Sequence, residues 1–218
     1  MNNVNKIMDT LNKINYGFID DNGINILDSD KNLESSFSKV YHLMSPEELL
    51  KKKYGVCWDQ VELERKLFAD CTDFIFKTYF IYIDDKNNLP SHTFLTYEDN
   101  KMYYWFEHSW NDEKGIHEYN NMNKLLNDVE NKFKESHKEE LIGKYKTYIY
   151  EYEQPNYNIS CDEFYNFIFK QRKIYNYQLI DSTKEDEDRL KNYKLKSIID
   201  YAKDISKNEI KQINSYIE

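Results

Sequence analysis

Apolar positions change their spacing several times along the chain, and each change marks an expected element. Val4 to Ile14 repeats at helical spacing, so a short amphipathic helix is expected there. "YGFIDDNGINI" then sets short apolar runs around an Asp-Asn-Gly turn, the pattern of a small hairpin or extended piece. Residues 1–35 therefore read as peripheral. Ser45-Pro46-Glu47-Glu48 is a capping box with proline at the first helical position, and the helix it starts ends at "KKKYG". A second helix is expected from Cys57 to Asp70. Cys57, Val61, Leu63, Leu67, Phe68, Cys71 and Phe74 fall on its inward arc.

The period then shortens to two. "KTYFIYI", "SHTFLTYE" and "KMYYWFEHSW" alternate as strands, "MNKLLNDVENKFKESH" returns to helical spacing, and "KTYIYEYE" reads as another strand. "CDEFYNFIFKQRKI" is expected as a helix, set off by Pro155 and the Asn-rich "QPNYNIS". From Ser182 onward the chain reads as one or two charged helices. Neighbouring strands joined by tight turns imply an antiparallel sheet with segregated helices, an α+β fold.

The hairpin in "SHTFLTYEDNKMYYWFEHSW" carries the clearest local geometry. Asp99-Asn100 suits a two-residue turn, because both residues tolerate positive φ. That turn sets Tyr97 opposite Met102 and, further along, His92 opposite Glu107. An odd loop or a bulge would instead set His92 against Phe106 or His108. A histidine beside a carboxylate has its tautomer fixed and its charged form stabilised, which leaves the other ring nitrogen for a nucleophile.

Cys57 is the leading nucleophile. It sits in the first helical turn after Gly55, where unpaired N–H groups and the helix dipole favour an anion. The N–H groups of Cys57 and Trp58 are free to hold an oxyanion, Gly55 permits close approach of a substrate, and Trp58 lines the cleft. Gln60 and Glu64 share the inward arc and each needs a buried hydrogen-bond partner. Trp110 edges the cleft, whereas the other aromatics of the hairpin are packing residues. Cys71 and Cys161 read as small buried hydrophobes. Glu107, His108 and His117 do not make a metal site, since neighbouring strand residues point to opposite faces and no spaced set of three ligands appears. No cofactor is implied.

Composition narrows the partners. A net charge of -9 disfavours nucleic acid, which needs clustered Lys and Arg. No run approaches the roughly 18 apolar residues of a membrane span. The start, "MNNVNKIMDTL", shows no secretory pattern. Three widely spaced cysteines build no disulfide framework, so a reduced cytoplasm is expected. Nothing in the sequence specifies an oligomeric state.

"GVCWDQ", then "SHTFLTY", then "YYWFEHSW" together resemble the transglutaminase-like superfamily over roughly residues 45–120. The resemblance implies a papain-like fold in which a cysteine at a helix start faces a histidine and an acid on adjacent antiparallel strands. It matches Cys57 to the nucleophile, His92 to the general base and Glu107 to the acid, where the family usually has aspartate. Asn111 is the fallback orienter. The chain is then one domain, 1–218, with a transglutaminase-like core over 36–153 and a C-terminal helical extension over 156–218. The expected function is thiol attack on an amide bond (peptide, glutamine side chain or isopeptide) of a protein or peptide, through a thioester, with hydrolysis favoured over amine transfer. The alternative is an inactive binding or scaffold module of the same fold.

Overall fold

The computed structural model describes residues 2–20, 23–26, 33–84, 90–139, 141, 145–175 and 178–180. The chain divides into two compact units, Met1–Asp181 and Ser182–Glu218. The charged C-terminal helices expected from the sequence lie in the second unit, outside the described residues.

In chain order the first unit holds α1 (Asn2–Leu11), β1 (Asn15–Tyr16), α2 (Leu33–Val40), α3 (Pro46–Lys52), β2 (Tyr54–Gly55) and α4 (Cys57–Cys71). Then come β3 (Ile75–Asp84), β4 (Ser91–Asp99), β5 (Met102–Glu107), a 3₁₀ turn (Asn111–Glu113), β6 (Gly115–Tyr119) and α5 (Met122–Ser136). The described part closes with β7 (Lys146–Tyr152), α6 (Cys161–Ile168), β8 (Arg172–Tyr175) and β9 (Gln178–Ile180). β3 to β9 form one antiparallel sheet in the order β6-β5-β4-β3-β7-β8-β9. The fold is α+β, with helices on both faces of the sheet.

α4 and α5 cover opposite faces, because strand neighbours point opposite ways. Phe68 of α4 meets Tyr97 and Phe106, each with ring centroids 5.3 Å away. Leu125, Leu126, Val129 and Phe133 of α5 bury Tyr79, Ile81, Phe94 and Trp105 on the other side. α6 joins the α4 face, where the Phe164 ring lies tilted against Trp58 with centroids 4.6 Å apart. No helix among the described residues is long and apolar enough to cross a membrane.

Three expectations need correction. The helix expected over 161–174 stops at Ile168, and residues 172–180 are strands, with Ile174 opposite Ile149. Within the range expected as a helical extension, residues 172–175 and 178–180 are therefore strands of the main sheet: pairing with β7 overrides the local helical spacing. The described residues from 2 to 20 are not peripheral. Val4, Ile7 and Leu11 are buried, Asn3 Nδ2 donates to the Cys71 carbonyl at 2.7 Å, and β1 pairs in parallel with β2. Finally, the β4–β5 turn is Asn100-Lys101, at φ 50° and 65°, the positive pair that a type I′ turn requires. Tyr97 thus faces Tyr104 rather than Met102. The slip is even, so every side chain keeps its face.

Candidate active site

The α4 start is built by Asp59. Val56 stands at the N-cap without a side-chain oxygen, so Asp59 reaches back and accepts the Val56 N–H at 2.9 Å. The same carboxylate accepts the Met44 N–H and the Tyr41 hydroxyl, each at 2.9 Å. Burial pushes the Asp59 pKa up to about 7, against the pull of these three hydrogen bonds. Asp59 and Gln60 N–H groups both turn back to the Val56 carbonyl at 3.0 Å. The N–H groups of Cys57 and Trp58 are left without an acceptor among the described residues, as expected of the first helical turn.

His92 and Glu107 are directly bonded, with Nε2 2.8 Å from Oε2. The corrected register makes this contact diagonal: Leu95 faces Phe106, so His92 does not stand opposite Glu107 as expected. The glutamate's longer arm spans the offset, and three further donors brace it. Trp105 Nε1 donates at 3.2 Å, Ser109 Oγ at 3.2 Å and the Trp110 N–H at 2.9 Å. The His92 ring packs edge-on against Trp110, centroids 5.5 Å apart, and also meets Phe94 and Phe133. With Nε2 on Glu107, Nδ1 is the nitrogen left for the Cys57 thiol, whose proximity helps to raise the pKa of the ring. Burial alone favours the uncharged ring, but the Glu107 carboxylate and the Cys57 contact outweigh it and lift the His92 pKa to about 10.

Sequence reasoning missed Tyr16. The β1–β2 bridge sets Tyr16 beside Gly55, two residues before Cys57. The residue is 49% exposed, yet it directs its hydroxyl onto the thiol. The charge of Cys57, then burial of the hydroxyl and the hydrogen bond to Cys57, hold the Tyr16 phenol protonated, as a donor.

Other expected residues take different parts. Gly55 is required by packing rather than by substrate: a Cβ there would lie 2.5 Å from Leu49 Cδ1 and 3.0 Å from Asp59 Cβ. The Trp58 ring does not line a cleft. It is buried among Tyr41, Phe80, Phe164 and Tyr165, so only its N–H faces the site. Trp110 lies edge-on against the His92 ring. Asn111 is exposed in the 3₁₀ turn, and Glu107 takes the orienting position. Gln60 finds its partners in His108 and the Gly55 carbonyl. Glu64 is 4% exposed and makes no hydrogen bond or ion pair among the described residues. Burial first, then the Glu107 charge, hold its pKa well above the usual carboxylate range. Cys161 is buried as expected, but Cys71, at the end of α4, is exposed. Among the described residues no three His, Cys, Asp or Glu side chains are grouped as metal ligands.

In comparisons with known proteins, no family model matches the chain and no curated protein matches its sequence.

Proposed function

We propose that the protein is a cytoplasmic, transglutaminase-like thiol enzyme with a papain-like arrangement, attacking an amide bond of a protein or peptide. The observation that carries this reading is the buried Cys57–His92–Glu107 array, anchored by the 2.8 Å bond between His92 Nε2 and Glu107. Glu107 fixes the imidazole and favours its protonated form, so proton transfer from thiol to Nδ1 leaves a thiolate–imidazolium pair. The thiolate attacks the amide carbonyl, and the N–H groups of Cys57 and Trp58 are placed to receive the oxyanion. His92 then returns its proton to the leaving amine, and a thioester remains on Cys57. Water, activated by the neutral His92, hydrolyses that thioester; hydrolysis is favoured over transfer to an amine.

The alternative, an inactive binding module, draws on the burial of Cys57, which is 5% exposed beneath Tyr16. Iodoacetamide labelling of Cys57 across pH, in wild type and His92→Ala, decides between them. The enzyme reading expects wild-type Cys57 to react at least about tenfold faster near pH 6 than a free thiol of ordinary pKa, and His92→Ala to lose that advantage. Equal, slow labelling of both proteins would leave the binding module.

A further inference from the structure

Three side chains outside the thiol chemistry make a continuous hydrogen-bonded chain into the start of α4. Lys114 Nζ lies 3.0 Å from His108 Nε2, His108 Nδ1 lies 2.5 Å from Gln60 Oε1, and Gln60 Nε2 lies 2.8 Å from the Gly55 carbonyl oxygen. An ammonium has donors only, so every proton along the chain is assigned. His108 Nε2 accepts from Lys114, and its own proton therefore sits on Nδ1 and is donated to Gln60 Oε1. That bond turns the Gln60 amide so that its NH₂ meets Gly55. Burial chiefly, with Lys114 adding and Glu107 opposing, lowers the His108 pKa to about 4, which keeps the ring neutral as the chain requires.

The Gly55–Val56 peptide is thereby held on both sides. Its carbonyl accepts Gln60 Nε2 and the Gly17 N–H at 3.3 Å, while its N–H goes to Asp59. The next two N–H groups, those of Cys57 and Trp58, belong to the two peptides that directly follow this anchored one. His108 also directly follows Glu107, so the strand end that holds the acid is tied to the helix start that holds the nucleophile.

We propose that Gln60, His108 and Lys114 form a positioning relay that aims the Cys57 and Trp58 N–H groups at the oxyanion of the tetrahedral intermediate. The relay rests on the acyl-transfer reading and touches no substrate itself.

Two reagents separate aiming from nucleophilicity. With p-nitrophenyl acetate, Cys57 Sγ adds to the ester carbonyl, an oxyanion forms, and its collapse expels p-nitrophenolate and leaves an acetyl thioester. With iodoacetamide, Sγ displaces iodide and no oxyanion arises. Both reactions are followed at the Cys57 peptide by mass spectrometry in a Cys71→Ser background. His108→Leu is expected to slow acylation about tenfold or more while alkylation changes less than about twofold, since misaimed donors weaken only the step that makes an oxyanion. Equal losses in both reactions, or acylation left intact, overturn the relay. Lys114→Met, an exposed change that spares the core, is expected to slow acylation severalfold with the same selectivity.

The tautomer supplies a second readout. ¹⁵N spectra at pH 7 should show His108 protonated on Nδ1 in wild type and lose that preference in Lys114→Met; an Nε2–H ring in wild type overturns the relay. Acylation of wild-type Cys57 no faster than that of free cysteine sinks the acyl-transfer reading and the relay with it. Fast wild-type acylation that His108→Leu leaves unchanged sinks the relay alone.

Discussion

Glu107 reaches His92 along a diagonal of the β4–β5 hairpin, Oε2 to Nε2 at 2.8 Å, while Trp105 shares that oxygen and Ser109 and Trp110 hold Oε1. That reach suits glutamate. Glu107→Asp withdraws one methylene and is expected to slow Cys57 alkylation near pH 7 by about tenfold, comparable to loss of a general-base orienter's positioning. An unchanged rate would mean that His92 works without the diagonal contact.

Glu107→Gln keeps the length and removes the charge. His92 in wild type should titrate near pH 10, and in the variant clearly lower, because the burial that opposes protonation remains while the carboxylate's charge is gone. Stability follows the same group. A pKa raised on folding contributes stability that is complete below the unfolded value of about 6.5 and is lost as pH rises towards 10. Urea unfolding between pH 6 and 10 should therefore show a decline in wild type that Glu107→Gln flattens.

Tyr16 lies against the Cys57 thiol, so its size is expected to select reagents. Tyr16→Ala is expected to raise the labelling of Cys57 by a bulky N-aryl maleimide, relative to iodoacetamide, by about tenfold. Tyr16→Phe, which retains the ring, should leave that ratio near its wild-type value. A ratio indifferent to both changes would remove Tyr16 from the mouth of the site.

Asp59→Asn replaces one acceptor oxygen with a donor, although three donors converge on the carboxylate from Tyr41, Met44 and Val56. A loss of about 1–2 kcal/mol is expected, the scale of a lost helix cap. Asp59 also bends the pH profile. Its pKa, raised by burial to about 7, means that its ionisation costs stability progressively from the ordinary carboxylate range up to pH 7. Urea midpoints at pH 4 to 8 should lose that component in the variant.

Gly55→Ala forces a methyl against Leu49 and the Asp59 Cβ, at a cost of about 1–3 kcal/mol for overpacking. Leu49→Ala makes room, so the double variant should be less destabilised than the two single changes added together. Strict additivity in thermal melts would show that the contact relaxes on its own.

The contacts that the sequence disclosed best are those that local periodicity specifies. The Ser45 cap, the Cys57 helix and the alternating strands from Ile75 to Glu107 follow from spacing alone. The partnership of His92 and Glu107 was legible because a two-residue error in register preserves the face of every side chain. The helix start at Cys57 was legible, but the reason for Gly55 was not: it depends on Leu49, whose proximity arises only when α3 folds back on α4. Tyr16 was hidden for a similar reason, since a two-residue parallel bridge leaves no pattern of its own. β8 was misread because its apolar residues continue the rhythm of α6, and only the neighbouring β7 ladder reveals their pairing.

The short β1–β2 bridge has a practical corollary. A polypeptide trimmed to begin near residue 36 would retain Cys57, His92 and Glu107 in its sequence, yet it would discard the buried Val4, Ile7 and Leu11, the Tyr16 hydroxyl and the Gly17 amide that fastens Gly55. Such a fragment would carry every recognisable sequence hallmark of a thiol enzyme while presenting an unshielded, loosely seated sulfur, prone to indiscriminate oxidation and alkylation. Assays on shortened forms would then report the chemistry of the truncation rather than that of the protein.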